Sequence, residues 1–267
     1  MYNINKRSLL IKNNFSKAAS TYLKNALIQI PPALKIIDTL NQYTNNGLNL
    51  NDNEIILDLG SGPGTLKHNK TIKNKTTHST LSFDISLEIL AHNNNNCSVN
   101  GDANYLPFAN NSFPFIISNL MLQWSDKKSL VISEMHRVLK TTGKLILTTL
   151  IKPSLHELQQ AWAEVDGARH TLHFLDQDKY LSAFNQAGFS ITEHYNWHNT
   201  EYFFSLSDLM WHFKHTGTNL TKQYHNNGLG GKLKLQKLSN AYQKLAIPNK
   251  GLPLTYTYLF IVATKEN

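Results

Sequence analysis

The 267-residue chain has one cysteine, Cys97, so neither an intramolecular disulfide nor a zinc site built on cysteine pairs is open to it. It has no apolar run near the roughly 18 residues that a membrane-crossing helix needs. Its start, M-Y-N-I-N-K-R-S-L-L-I, lacks a long apolar segment and a small-residue cleavage site, so no signal peptide is read. Charged residues are few, at 16%, and acids are the scarcer kind: 18 Asp and Glu against 26 Lys and Arg, a net charge of +8. Together with 41% apolar content, these shortages point to a globular chain expected in the cytoplasm, with one large domain or a core domain and a lid.

The positive charge is uneven. Residues 1–50 carry six basic residues and one acid; residues 201–267 carry eight and three; the 150 residues between hold 12 bases and 14 acids. A near-neutral core flanked by basic ends suits an acidic partner, although scattered lysines also serve solubility.

The most informative stretch is E-I-I-L-D-L-G-S-G-P-G, Glu54–Gly64. Ile55, Ile56 and Leu57 suit a strand buried on both faces, and Gly60, Gly62 and Gly64 then remove side chains where the chain leaves it. This reads as the first strand and nucleotide loop of a doubly wound α/β fold. The spacing is G-x-G-x-G rather than G-x-G-x-x-G, and Asp58 precedes the first glycine. A pyrophosphate is disfavoured beside an acid, whereas a cationic ligand is not. S-adenosylmethionine, with an amino group, a sulfonium and no phosphate, fits better. A plain strand-to-helix turn would use the same glycines.

Strand patterns follow at Thr80–Asp84, Cys97–Gly101, Phe113–Asn119, Lys144–Leu150, Phe189–Tyr195 and Thr255–Ala263. With Glu54–Leu59 they make seven, separated by helical patterns at Ser86–His92, Lys127–Leu139, Ser154–Val165, Gln177–Ala187, Ser205–His215 and Lys232–Leu245. The β-α-β repetition predicts a mostly parallel, doubly wound sheet. Phe15–Leu40 reads as helix interrupted at Pro31-Pro32, and Thr141-Thr142-Gly143 as a helix stop. The segment after Gly64 is almost wholly polar; only Leu66 and Ile72 can face a core, which predicts a short or poorly packed helix.

Polar residues recur at successive strand ends, the edge where open α/β sheets bind ligands. Asp84, twenty residues past Gly64, can accept hydrogen bonds from ribose hydroxyls; Asp102, in Gly101-Asp102-Ala103, can accept an adenine amine; Ser118-Asn119-Leu120 ends the fourth strand. The pairs His170/His173 and His194/His198 have metal-like spacing but no third ligand, so no metal is expected.

The motifs D-L-G-S-G-P-G, F-D-I-S, G-D-A-N-Y-L-P-F, S-N-L-M-L-Q-W and M-H-R-V-L-K-T-T-G-K-L resemble the class I S-adenosylmethionine-dependent methyltransferases. More narrowly, F-S-K-A-A-S-T-Y at Phe15–Tyr22, L-H-E-L-Q-Q-A-W at Leu155–Trp162, V-D-G-A-R-H at Val165–His170, H-F-K-H-T-G-T-N at His212–Asn219 and L-P-L-T-Y at Leu252–Tyr256 are similar to the malonyl-acyl-carrier-protein O-methyltransferases of biotin synthesis. The resemblance implies methyl transfer to the free carboxylate of a malonyl thioester on acyl carrier protein, an acidic partner for the basic ends, with no role for nucleic acid or membrane and a monomeric enzyme. It implies a helical lid over the cofactor at 1–45 and a methyltransferase domain at 46–267, with helical substrate-side additions at 151–188 and 199–251. Asp58, Gly60, Gly62, Gly64, Asp84, Ile85, Asp102, Ala103, Asn119 and Leu120 would hold the cofactor. Tyr22, Gln123 and His170 would position the reactants, and Trp124, His173 and Lys214 would meet the substrate. The chain departs from the family pattern at Lys17, usually Arg, at Ser61 and Pro63, usually Cys and Thr, and at Leu172 and His173, usually Asn and Arg. Methylation of another small acceptor, of nucleic acid, or cofactor binding without turnover are the competing readings; no Pro-Pro-aromatic slot for a flipped base follows Asn119.

Overall fold

The computed structural model describes residues 6–45, 54–64, 66, 79–93, 95–218 and 229–266. Three N-terminal helices, α1 (Lys6–Ala18), α2 (Tyr22–Asn25) and α3 (Ile30–Asn45), precede strand β1 (Ile56–Leu59). Then come β2 (Thr80–Asp84), α4 (Leu87–Leu90), β3 (Ser98–Asn100), β4 (Phe113–Asn119), α5 (Lys128–Val138) and β5 (Leu139–Leu150). The chain finishes with α6 (His156–Ala163), α7 (Gln177–Gln186), β6 (Phe189–Phe203), α8 (Leu206–His215), α9 (Leu229–Gln243) and β7 (Leu252–Lys265).

The strands form one seven-stranded sheet in the order β3-β2-β1-β4-β5-β7-β6. The five from β3 to β5 pair in parallel, and β7 runs antiparallel between β5 and β6. The order reverses at β1, whose neighbours are β2 and β4, so the crevice beside the C-terminal end of β1 is the topological switch point.

Alternation along the central strands feeds two cores. On β4, β5 and β7, Ile116, Leu145, Leu147, Leu259 and Ile261 face the cluster that includes Val131 and Met135 of α5 and Tyr180 and Phe184 of α7. Their neighbours Phe115, Ile117, Ile146, Phe260 and Val262 face Ala33, Ile36, Ile37 and Leu40 of α3. A third cluster, containing Trp162, Leu209, Phe213, Tyr242, Tyr256 and Tyr258, lies under α6, α8 and α9. No described helix is long and apolar enough to cross a membrane.

Several boundaries differ from the sequence expectation. The N-terminal helix does not break at Pro31-Pro32; it breaks at 19–21, and the two prolines sit in the first turn of α3, where backbone N–H groups have no intrahelical partner to lose. Thr141-Thr142-Gly143 lies inside β5 rather than ending a helix. Thr142 has φ +61°, the β4–β5 register shifts there, and a Cβ on Gly143 would stand 2.7 Å from the Lys140 carbonyl oxygen. Strand β6 runs eight residues beyond Tyr195, through polar sequence. It is an edge strand covered mainly on one side, so apolar alternation is weak, and residues 199–203 are strand rather than helical addition. The polar segment 65–78 lies outside the described residues except Leu66, which is buried against the α3 side of the sheet.

Candidate active site

A cavity of about 170 Å³ opens at the switch point. Its floor comes from the strand ends, its roof from α1, α2 and the residues leading into α3, and its far wall from the α6 and α8 region. No Lys or Arg of the described chain lines it.

The glycine loop is built for close approach. Gly60 N–H and Ser61 N–H both donate to the Phe83 carbonyl, at 2.8 and 3.1 Å, folding the loop over the end of β2. Gly60 has φ +73°, and a Cβ there would stand 2.3 Å from Met121 Cγ. Gly62 has φ +55° and faces open space, so the backbone itself forms the wall. Its N–H donates to Asp84 Oδ2 at 3.0 Å, and Ser86 N–H donates to Asp84 Oδ1 at 2.9 Å. Burial raises the Asp84 carboxyl pKa, and the N–H groups of Ser86, Gly62 and Ile85 oppose the shift. Each Asp84 oxygen keeps a further acceptor site for a ligand hydroxyl.

Asp102 Oδ1 accepts from Asn104 N–H at 2.9 Å and from Asn104 Nδ2 at 2.6 Å. Those bonds fix the amide, and they leave Asn104 Oδ1 buried without a hydrogen-bond partner in a residue that lines the cavity. Asn104 went unnoticed in the sequence, where it was one letter of G-D-A-N-Y-L-P-F; the signal was its place two residues after Asp102. Asp58 lines a small adjoining cavity with Tyr22, Ser61 and Asn119.

At the end of β4 the backbone is strained. Leu120 has φ +53°, its N–H donates to the Thr148 carbonyl, and its own carbonyl accepts from Gln123 Nε2 at 2.7 Å. Gln123 Oε1 in turn accepts from Thr149 Oγ1 at 3.0 Å. Gln123 thus lines the cavity with its amide engaged in holding Leu120. Asn119 is engaged likewise: it donates to the Gln29 carbonyl at 3.0 Å and accepts from Thr148 Oγ1 at 2.7 Å, tying the roof to the sheet. Tyr22 enters from the roof. Its phenol is held protonated by burial and then by the charge of Asp84, while a hydrogen bond with Gln29 acts the other way.

The opposite end is apolar and aromatic, with Leu158, Trp162, Leu172, Phe174, Met210 and Phe213 in its wall. His170 is its one basic side chain. Its ring stacks on Trp162 with centroids 3.8 Å apart, and its Nε2 lies 2.8 Å from Asp166 Oδ1. Asp166 Oδ2 accepts from Lys234 of α9 at 3.0 Å. The His170 hydrogen bond is the main reason that the Asp166 carboxyl is held down at about 2.

The structure brings together at the main cavity Tyr22, Gly60, Gly62, Asp84, Ile85, Asp102, Ala103, Asn119, Leu120, Gln123, Trp124 and His170. Of the other four predicted residues, Asp58 lines the small adjoining cavity and three line neither. Gly64, with φ +83°, closes the loop through a bond to the Ser61 carbonyl but lines neither cavity. His173 and Lys214 are exposed and outside the wall. His173 contacts Arg169 instead. Loss of water contact, then the charges of Arg169, Lys152, Lys128 and Lys179, push its pKa down, so it is a poor cation for a carboxylate at neutral pH.

A Methyltransferase domain family model matches residues 57–147. Over its full length the chain is 31% identical, across 277 aligned residues, to the malonyl-[acyl-carrier protein] O-methyltransferase of Herminiimonas arsenicoxydans, covering 98% of that protein. The chain belongs to the malonyl-[acyl-carrier protein] O-methyltransferase family. A second member, from Hahella chejuensis, is 30% identical, with 92% of this chain and 86% of that protein aligned. The biotin biosynthesis bifunctional protein BioHC of Cellvibrio japonicus is 30% identical over 96% of this chain, and the chain spans 50% of that longer protein. Against two other BioHC proteins it spans 29% and 44% of their length. Among solved structures, a candidate methyltransferase from Bacillus halodurans superposes with TM-score 0.57 at 21% identity, covering 86% of this chain and 99% of that one. The YcgJ protein of Bacillus subtilis does so with TM-score 0.53 at 14%, covering 87% and 99%. These structural likenesses establish the shared fold.

Proposed function

We propose that the chain transfers a methyl group from S-adenosylmethionine to the free carboxylate of a malonyl thioester on acyl carrier protein, giving the methyl ester that starts pimeloyl synthesis for biotin. The observation that carries this reading is the polarity of the cavity: carboxylates and an unpaired Asn104 oxygen at the glycine-loop end, an aromatic chamber with His170 at the other, and no Lys or Arg in the wall of the described chain. A phosphate-bearing cofactor would meet no cation there, whereas a cationic nucleoside meets Asp84, Asp102 and the nearby Asp58. In this reading Asp84 takes the ribose hydroxyls, Asp102 and Asn104 take the adenine edge, and Asp58 lies nearest the amino-acid end. The cofactor supplies the electrophilic methyl.

The acceptor carboxylate is already ionised at neutral pH, so the chain needs no general base. Its tasks are alignment and exclusion of water. His170, oriented by Trp162 and Asp166, receives the carboxylate. Trp124 borders its path. Tyr22 and the rest of residues 6–29 form the roof, which rests on Asn119 and on α8. Gln123 acts as a positioning residue, because its amide is spent on the Leu120 carbonyl.

A second reading has its own support. Leu172 puts an apolar side chain in the wall where the family pattern usually has Asn, and His173 is turned outward, so the chamber also suits a less polar small acceptor.

The test is the intact mass of malonyl-loaded acyl carrier protein after incubation with the enzyme and S-adenosylmethionine. Gain of one methylene on the malonyl form and none on an acetyl-loaded control is the expected result. Binding of S-adenosylhomocysteine by calorimetry with no mass gain would discard the malonyl substrate and favour the second reading.

A further inference from the structure

The basic ends supply only part of the charge beside the cavity: Arg7 from the N-terminal end and Lys234, which reaches the wall residue His170 through Asp166. The other cations named by their contacts and charges come from the near-neutral middle of the chain: Lys128, Lys152, Arg169 and Lys179. Lys128 Nζ donates to the carbonyl of Ser125, a half-buried wall residue, at 2.7 Å. Arg169 contacts His173, and the wall residues Thr171 and Leu172 lie between them in sequence. The charges of Lys128, Lys152, Arg169 and Lys179 all act on His173, and that of Arg7 acts on Lys128. Two acids are ion-paired into the group: Asp126 with Arg7 at 2.6 Å and Asp176 with Lys152 at 3.1 Å. Five cations against these two paired acids and Asp178, the exposed neighbour of Lys179, make a net positive group beside the aromatic chamber, although no described Lys or Arg lines it.

We propose that this cluster, drawn mainly from the near-neutral middle of the chain rather than from the lysines of the basic ends, is the docking surface for the acidic carrier protein whose thioester arm enters past Ser125 and Thr171. The inference rests on the proposed function for the identity of the substrate. Its physical basis is charge complementarity. A cation group outside the chamber steers an acidic protein to the mouth without putting a competing charge near the cofactor end. It also explains how His173 can be exposed and neutral: its place in the sequence serves the rim, not the chamber.

The experiment compares the wild type with Lys152→Glu/Arg169→Glu/Lys179→Glu, using malonyl-loaded carrier protein, malonyl-coenzyme A and a short malonyl-pantetheine thioester. Wild-type turnover of the short thioester first secures the reaction itself, so its absence would defeat the functional reading and leave docking to be judged by carrier-protein binding alone. The expected result is a KM for the carrier-bound substrate raised about tenfold or more, with kcat and the short-thioester KM within about twofold of wild type. Weakened direct binding of the carrier protein in calorimetry should accompany it. An equal loss on the short thioester would overturn the proposal, since the variant would then have damaged the chamber. An equal loss on malonyl-coenzyme A would also overturn it, pointing to phosphate recognition. Lys232→Glu/Lys237→Glu on α9 tests the rival surface, and a comparable rise in KM there would move docking to the basic C-terminal end. Lys152→Gln/Arg169→Gln/Lys179→Gln repeats the comparison without new negative charge, and it should show the same ordering with smaller shifts.

Discussion

At the scale of single residues, the site is governed by what each polar side chain is already doing. Gln123, Asn119 and Asp84 all face the cavity, yet each spends hydrogen bonds on backbone: on Leu120, on Gln29, and on Gly62 with Ser86. They are the frame. His170 differs, because its partner is another side chain, Asp166, whose second oxygen is taken by Lys234. Asp166 with its carboxyl near 2 stays ionised throughout the working range. Its folded value is depressed, so the stability it lends is present above the ordinary Asp value of about 3.9 and is lost as pH falls toward 2. Asp166→Asn keeps the shape but weakens the charge-assisted hydrogen bond that orients His170. The expected outcome is a kcat/KM for the malonyl substrate lowered about tenfold, with S-adenosylhomocysteine affinity unchanged. A kcat/KM within about twofold of the wild type would show that Asp166 is merely structural.

At the scale of elements, α1 and α2 decide whether the site is covered. They carry little apolar surface of their own. Their hold on the fold is a set of separate attachments: Phe15 edge-on to Trp124 at 5.0 Å, Ser16 Oγ donating to Glu88 at 2.6 Å, and Thr21 Oγ1 donating to the His215 carbonyl at 3.0 Å. Gly217 admits Phe15, since a Cβ there would stand 2.9 Å from its ring. Elements held this way open at lower cost than the sheet. Amide exchange in residues 6–25 is therefore expected to be fast in the ligand-free protein and to slow when S-adenosylhomocysteine binds, while β4 and β5 remain protected in both states. Phe15→Ala should weaken that binding about three- to tenfold and leave the unfolding midpoint within about 3 °C of wild type. A large fall in the midpoint would make α1 part of the core instead.

The same scale shows what could be read from the sequence. The parallel strands were legible because burial on both faces demands continuous apolar runs, and the glycine loop because three positive-φ positions leave few alternatives to glycine. The edge strand β6 was cut short at Tyr195, since a strand with one wet face keeps polar residues through Phe203. The break in the N-terminal helix was misplaced because proline in a first turn costs nothing. Candidate residues at strand ends were legible from topology; His173 and Lys214 were not, because whether a loop or helix side chain turns inward depends on packing that no local pattern encodes.

At the scale of the whole molecule, a net charge of +8 attracts any polyanion, and what selects one partner is where the charge lies. The chamber is free of Lys and Arg among the described residues, while Arg7, Lys128, Lys152, Arg169 and Lys179 gather around Ser125 and His173 beside it. Salt therefore acts on the two halves of the reaction differently. The Debye length falls from about 30 Å at 0.01 M to about 6 Å at 0.3 M salt, shorter than the separation across a protein–protein encounter. Methylation of a carrier-bound malonyl group should lose about tenfold in kcat/KM over that range, mainly through KM, because steering is screened. Methylation of the short malonyl thioester should change less than about twofold, because in the proposed site Asp84, Asp102 and His170 would act at contact distance within low-dielectric walls. Parallel losses on both substrates would place the salt-sensitive step inside the chamber and remove the reason for a charged rim. A flat response on both would mean that the carrier docks through apolar contacts and that the chain's positive charge serves solubility.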